Sequence, residues 1–203
     1  MTAQSKKRNK FFTAALVVLA CAVSSFAELR SVPFEAEEVA NDRWKAFLGF
    51  SGGNSMITDD GTIFAGLRIG IDWNNMLSSG IWGSVILSDV RNYNVKHKQM
   101  LDYKAFGLQG EVTPYRHGIY AVSIPVNVGM GVVNTLNQGD ESFSPEDYFF
   151  TADVSVHFNA RLTKALEVSI GGGYRIFAGI EENNLDNMDF CTPFGELRFT
   201  IKE

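Results

Sequence analysis

The chain carries its clearest pattern between Tyr148 and Phe177, where apolar and polar residues alternate almost without exception. In the first run the apolar positions are Phe150, Ala152, Val154, Val156 and Phe158. After a link at 161–164 the pattern resumes, with Leu166, Val168, Ile170, Gly172, Tyr174 and Ile176 on the apolar side. Successive side chains of a strand point to opposite faces. The alternation therefore predicts two strands, each with one face in an apolar medium and one in a polar medium.

The same alternation recurs from Trp44 to the end of the chain and predicts about eight strands in all. Further strands are predicted near 44–50, 62–73, 79–90, 102–113, 120–132 and 195–202. The predicted connections are a polar loop at 54–61, turns at 74–76 and 114–118, a basic loop at 91–100, and acidic loops at 134–147 and 181–189. Pro125 lies inside a predicted strand, where a proline deletes a ladder hydrogen bond and usually marks a bulge.

Long and short connections alternate along the chain, so all the long loops fall at one end of the sheet. An even strand number, short turns at one end and long loops at the other are typical of bacterial outer-membrane barrels. Aromatic residues predict two interfacial girdles, with Trp73, Tyr120 and Phe158 at the short-turn end and Phe50, Phe150 and Tyr174 at the long-loop end. Backbone groups in lipid must be paired internally, which for strands requires a closed sheet. The predicted fold is all-β, a closed up-and-down antiparallel transmembrane β-barrel of about eight strands at residues 44–203.

The first 27 residues predict a secretory signal peptide. Four basic residues between positions 6 and 10 precede an apolar run at 11–23, and Ser25-Phe26-Ala27 supplies small residues for cleavage. Residues 28–43 then form a periplasmic lead-in without a strand pattern. A second interpretation takes Val18-Leu19-Ala20-Cys21 as a lipoprotein box, with lipidation at Cys21.

Cleavage after Ala27 makes the chain more acidic. It removes four of the 18 basic residues and none of the 23 acidic ones, which leaves a formal charge of −9. This acidity argues against nucleic acid as a partner. Cleavage also leaves Cys191 as the one cysteine of the mature sequence, so an intramolecular disulfide is excluded.

The polar faces of the predicted strands point into a narrow lumen, because about eight strands leave an interior that side chains can fill. We predict a polar network there, in which buried charges of both signs pair with one another. Its members are Arg68, Asp72, Glu111, Asp153, His157, Glu167, Arg175, Glu196 and Arg198. The network is interpreted as a structural plug, and the alternative is a conducting or proton-relay pathway.

Other candidate chemistry in the sequence is weaker. His157, opposite or diagonal to Glu167 and on the face of Asp153 and Ser155, resembles part of a hydrolase triad, but its strand places it near the periplasmic end. The acidic loops lack the spacing of a defined calcium loop. The basic segment 96–98 could meet lipid phosphates. We therefore predict no catalytic residue, no cofactor and no metal site.

The chain resembles the small outer-membrane β-barrels of the OmpA/OmpX type. The resemblance is one of pattern and covers nearly all of the mature sequence, closing with Gly171-Gly172-Gly173-Tyr174-Arg175 and Pro193-Phe194-Gly195 to Phe199. It implies a non-enzymatic role in envelope integrity, or adhesion or ligand binding by the long loops. The implied partners are outer-membrane lipids and the barrel assembly machinery, which reads a terminal aromatic residue. Here four residues follow Phe199, a departure from that pattern.

Two other classes of function stay open at this point. A lipid-modifying barrel enzyme would carry polar catalytic residues at its outer rim. A soluble lipid-binding barrel would place its apolar face inward and its polar face outward. The need for detergent in purification separates the soluble barrel from the other two.

The N-terminal pattern gives a direct prediction. We expect the mature chain to begin at Glu28 and to fractionate with the outer membrane, as N-terminal sequencing and membrane fractionation would measure. An intact Met1 start, or recovery of the protein from the soluble periplasm, would contradict it.

Overall fold

The computed structural model describes residues 44–57, 60–88, 90–92, 99–137, 147–180 and 187–203. Within these ranges the chain forms one antiparallel sheet and one short helix. The strands are β1 Trp44–Ile57, β2 Asp60–Trp73, β3 Leu77–Ile86, β4 Val90–Asn92, β5 Gln99–His117, β6 Tyr120–Asn137, β7 Asp147–Arg161, β8 Leu166–Ala178 and β9 Thr192–Lys202; the helix is α1 Asn187–Phe190. The predicted signal peptide and lead-in lie outside the described residues.

The sheet closes on itself. The strands lie in the sheet in the order β3-β2-β1-β9-β8-β7-β6-β5, each paired with the next. A further pairing of β3 with β5 completes the ring. The short β4 pairs with residues 99–101 at the start of β5, and β3 pairs with residues 104–112 of the same strand. Together β3 and β4 therefore form one interrupted barrel strand. The fold is an eight-stranded closed up-and-down antiparallel barrel, which confirms the predicted fold class.

The facing of the strands follows the alternation of the sequence. The polar positions of β7, from Thr151 to Asn159, are buried in the lumen, whereas Val154, Val156 and Phe158 are exposed on the outside. The same holds in β3, where Trp82 and Ser84 are buried and Ile81 and Val85 are exposed. The interior is therefore polar over much of its length, and the exterior is apolar.

In two places a strand extends into a predicted loop. Residues 54–57 continue β1 and pair with residues 60–63 of β2, so most of the predicted loop at 54–61 is strand; residues 58 and 59 lie outside the described residues. The predicted turn at 114–118 is also shorter, because β5 runs to His117 and β6 begins at Tyr120. A register shift between Val112 and Tyr115 carries the strand past Pro114. In β1 the alternation continues beyond the length that a bilayer requires, and in β5 the register shift reverses the facing of the residues that follow it.

Two other predicted features differ in detail. Pro125 has no partner in the pairing of β6 with β7, which passes from Ser123–His157 to Val126–Val154 without a change of register. In the predicted loop 181–189, residues 187–189 belong to α1, whose last residue Phe190 is fully buried. The centres of the loops at 91–100 and 134–147 lie outside the described residues.

Inward glycines let side chains of neighbouring strands lie across the narrow lumen. In one row, His157 of β7 pairs with Gly171 of β8, which pairs with Glu196 of β9. A Cβ atom at Gly171 would lie 2.6 Å from His157 Cγ and 2.8 Å from His157 Cα. The missing side chain is therefore what allows the His157 ring to lie over β8 toward Glu196.

Gly171 and Gly110 give a matched test of this packing. We expect Gly171→Ala to lower the free energy of unfolding by about 1–3 kcal/mol, because the added methyl group overpacks the lumen. Gly110→Ala should be nearly neutral, since a Cβ there has no neighbour within 4 Å on the outer face. The measurement is the urea midpoint of the refolded barrel in detergent or lipid. Equal effects of the two variants would contradict the account.

Candidate functional site

The lumen holds the largest group of chemically active side chains in the described residues. All the residues predicted for the polar network point into it. Eight of them are buried, with relative exposures between 0% for His157 and 8% for Arg68 and Glu111. The side chain of Glu196 is 10% exposed. The structure brings these residues together in three layers along the barrel.

Glu111 is the centre of the middle layer. Its Oε2 accepts hydrogen bonds from Arg68 Nη1 at 2.8 Å and from Arg198 Nη1 at 3.2 Å. Arg198 Nε also donates to Glu196 Oε2 at 2.8 Å. The second Nη of Arg68 donates to Thr200 Oγ1 at 2.5 Å. One carboxylate thus joins β2, β5 and β9, which lie far apart in sequence.

His157 belongs to the same layer but has a different neighbour from the one predicted. Its Nε2 lies 3.5 Å from Glu196 Oε2, a long contact without hydrogen-bond geometry. The predicted position opposite or diagonal to Glu167 is wrong, because Glu167 pairs with Arg161 whereas His157 pairs with Gly171. His157 is completely enclosed, so the arrangement does not form an accessible triad.

The layer toward the long-loop end is built on Arg175. Its Nε and Nη2 donate to the two oxygens of Asp153 at 3.0 and 2.9 Å. Its Nη1 donates to the hydroxyl of Tyr103. The guanidinium also lies over the rings of Phe64 and Phe194, at 4.9 and 5.1 Å from the centroids. A bidentate pair with aromatic faces around it is a strong arrangement for a buried arginine.

The third layer lies at the short-turn end and includes two residues absent from the predicted network. Lys202 Nζ is 2.8 Å from Asp72 Oδ2 and 3.3 Å from Glu167 Oε1. Arg116 Nη2 is 3.8 Å from Glu167 Oε2, and it donates to the Asn75 carbonyl of the β2–β3 turn at 3.4 Å. Lys202 shares the inward side of β9 with Arg198 by the same alternation, but it is not a member of the predicted polar network. Arg116 lay in a predicted turn, and the register shift near Pro114 was needed to place it in the lumen.

With these two residues, the ion pairs of the described lumen join equal numbers of basic and acidic side chains. The ion pairs of the three layers join five basic side chains to five acidic ones. The basic members are Arg68, Arg116, Arg175, Arg198 and Lys202, and the acidic members are Asp72, Glu111, Asp153, Glu167 and Glu196. Such pairing removes most of the penalty of burying each charge alone.

The long-loop end of the lumen is closed by an apolar cap. We use this name for Ile57, Tyr103, Val133, Phe149, Phe177, Ile180 and Phe190, each at most 2% exposed and part of one cluster with Trp82 and Ala105. The sequence predicted a polar network in the lumen but not an apolar cluster at its long-loop end. The signal was present, because Phe149 and Phe177 occupy inward positions at the ends of β7 and β8.

The outer surface is a broad apolar belt. Its exposed residues include Leu48, Leu67, Ile69, Ile81, Leu108, Val128, Val156, Ile170 and Phe199. Aromatic pairs mark the short-turn end, with Trp44 and Trp73 at 4.3 Å between ring centroids and Tyr120 and Phe158 stacked at 5.5 Å. Phe50, Phe150 and Tyr174 are exposed toward the other end.

The described part of the chain contains no cluster of three or more His, Cys, Asp or Glu side chains able to hold a metal ion. It also contains no helix long and apolar enough to span a membrane. A small cavity of about 30 Å³ lies between the Arg175 and Glu111 layers, beside Trp82, Gln109 and Asn127. This volume suits one or two water molecules.

No protein-family model matches the chain, and no curated protein is similar to it in sequence. Solved structures share its fold. Neisserial surface protein A is 12% identical with a TM-score of 0.51, over 79% of this chain and 96% of that one. The N-terminal β-barrel domain of Pseudomonas aeruginosa OprF is 9% identical with a TM-score of 0.51, over 77% and 97%. Ail of Yersinia pestis is 11% identical over 78% and 95%, with a lower TM-score of 0.41. The predicted resemblance to small outer-membrane barrels is confirmed at the level of the fold.

The shared acceptor of the middle layer gives a test of the ion-pair core. We expect Glu111→Gln to lower the free energy of unfolding by about 3 kcal/mol or more, because two buried guanidinium groups lose one carboxylate. Asp102→Asn on the same strand is the control, since its pair with Lys104 is 3.8 Å long and exposed. It should cost less than about 1 kcal/mol. Urea unfolding of both variants in the same detergent measures the difference.

Proposed function

We propose that this protein is a non-enzymatic barrel of the bacterial outer membrane, with a closed lumen and a structural role in the envelope. The observation that carries the proposal is the inverted polarity of the barrel. Charged side chains fill the interior, while large apolar side chains cover the exterior. A soluble monomer rarely exposes so extended an apolar surface, because water makes that exposure unfavourable.

Lipid is the partner that fits the outer belt. Strands of 10 or more residues in each of the eight barrel positions are long enough to cross a bilayer at the usual tilt. The aromatic pairs at the short-turn end support an interfacial girdle there. A soluble lipid-binding barrel requires the opposite arrangement, with an apolar interior that receives the ligand, and the ion-paired lumen opposes that alternative.

The non-enzymatic part of the proposal is supported by the surroundings of the candidate histidine. His157 has no exposed surface, and its contacts with Glu196 and the Gly171 strand hold it inside the barrel. A substrate lipid in the outer leaflet could not reach it without opening the wall. The lipid-modifying enzyme is therefore the less favoured function.

The role in the envelope follows from what the lumen contains. A balanced set of ion pairs and an apolar cap make a rigid plug, which suits a membrane anchor better than a pore. We propose that the long-loop end faces the outside of the cell, where the loops are available for adhesion or for an extracellular ligand. Assembly by the barrel assembly machinery belongs to the same proposal.

Spin labels on the outer face test the membrane location. Labels at Val154, Val156 and Ile170 should be quenched by oxygen dissolved in lipid and shielded from an aqueous nickel reagent. A label at Lys164, in the exposed link before β8, should show the reverse and serves as the control. Shielding of the first three positions from both reagents would mean that they pack inside protein, which would overturn the proposal.

An arginine scan gives an independent energetic test. Arginine at Val154 or Ile170 should cost about 2–4 kcal/mol near the bilayer midplane, because the guanidinium replaces an apolar side chain in lipid. Ser169→Ala on the neighbouring inward position should cost far less, since it leaves the lipid contact unchanged. Folding titrations in vesicles provide both values. If the arginine variants fold in vesicles as favourably as the wild-type protein, Val154 and Ile170 do not face lipid.

A further inference from the structure

We propose that the apolar cap, and not the ion-pair layers, is the barrier that closes the lumen to ions. The inference rests on the proposed function, because it supposes a barrel that spans a membrane and does not conduct. It goes beyond the proposed function by stating where in the lumen the barrier lies and which residues form it.

The cap is a compact cluster of buried rings at the long-loop end of the lumen. Tyr103 lies 5.8 Å from Phe149 and 5.7 Å from Phe177, measured between ring centroids. Phe149 and Phe177 are 5.1 Å apart. These residues come from β5, β7 and β8, and Ile57 of β1 and Val133 of β6 complete the cluster. The side chains thus converge from strands around the circumference.

Ile180, after β8, and Phe190 of α1, before β9, also belong to the cap. The ring of Phe190 lies 5.6 Å from that of Phe177 and has no exposed surface. Ile180 is 2% exposed. Asn187 holds the two ends of the β8–β9 connection together, because its Oδ1 accepts a hydrogen bond from Ile180 N at 2.9 Å and its carbonyl accepts one from Cys191 N at 3.2 Å.

The cap offers little that could replace the water around an ion. Among the described side chains of the cluster, the polar groups are the Tyr103 hydroxyl and the Trp82 indole N–H. The hydroxyl is engaged by Arg175, and the indole donates to the Leu108 carbonyl at 3.1 Å. An ion crossing the cap would lose its hydration water and find few polar groups to replace it, which costs free energy. Apolar constrictions close pores by this desolvation cost.

The layers beneath the cap are different in this respect. They contain carboxylates and guanidinium groups that can solvate an ion or a proton, beside a cavity of about 30 Å³. Side-chain exposure is 13% for Lys202 and 14% for Arg116 at the short-turn end, whereas Phe190 in the cap has 0%. Water therefore has many charged partners in the ion-pair layers, whereas the polar groups of the cap are few and already engaged within the protein.

The experiment compares the ion conductance of four forms of the barrel in planar bilayers bathed in potassium chloride. Phe177→Ser with Phe190→Ser makes the cap wettable and should raise conductance about tenfold or more over the wild-type protein. Arg68→Met with Glu111→Gln removes both ion pairs of Glu111 below an intact cap, leaves Arg198 paired with Glu196, and should leave conductance at the wild-type level. The urea midpoint and the gel mobility of unheated samples verify that each barrel is folded. Phe190→Ser alone, which leaves all strand residues in place, should change conductance in the same direction and covers failure of the double variant to fold.

The outcomes separate this inference from the proposed function. If a folded cap variant stays closed, or if loss of the Arg68–Glu111 pair opens the barrel, the cap is not the barrier. If the wild-type barrel already conducts like an open pore, the lumen is not closed. That result would contradict the closed lumen of the proposed function and the cap barrier together. An increase confined to the cap variants supports the inference.

Discussion

Closure of the backbone hydrogen-bond ladder is the constraint on which the rest of this structure depends. In lipid an unpaired N–H or C=O group costs several kcal/mol, so a membrane sheet cannot keep a free edge. Here β3 pairs with β5, and β1 pairs with β9 up to the last residue. Ala46 and Glu203 exchange both backbone hydrogen bonds, at 3.0 and 2.9 Å. The C-terminal residue thus takes part in the seam.

A closed ring of eight strands encloses a lumen too narrow for bulk water, and this sets the chemistry inside. Each charge placed on an inward position needs a partner of opposite sign, since solvation by water is reduced there. The lumen meets this requirement by sharing acceptors. Glu111 receives both Arg68 and Arg198, and Glu167 receives both Lys202 and Arg116. Glycines between these side chains supply the space in which the pairs form.

The two ends of the lumen are filled by different kinds of interaction. At the short-turn end, ion pairs and the Asn75 contacts of Arg116 and Arg161 hold the β2–β3 turn against the barrel. At the long-loop end, rings from three strands and from α1 exclude water. In the proposed orientation the apolar closure faces the outside of the cell. In the proposed function, this arrangement would give the surface loops a rigid base without opening a path through the membrane.

The sequence by itself determined the facing of nearly every strand, because side chains alternate with a fixed period of two regardless of which strands become neighbours. It therefore predicted the barrel, the apolar exterior and the inward position of Arg68, Asp153 and Arg198. The tertiary structure alone decided which inward residues meet. The Glu196 neighbour of His157 depends on the registers of two successive strand pairs, and Arg116 reaches the lumen through a register shift. The apolar cap likewise joins residues from distant strands and a loop helix. Register and closure arise from the whole ring, and a period read along a single strand carries no information about them.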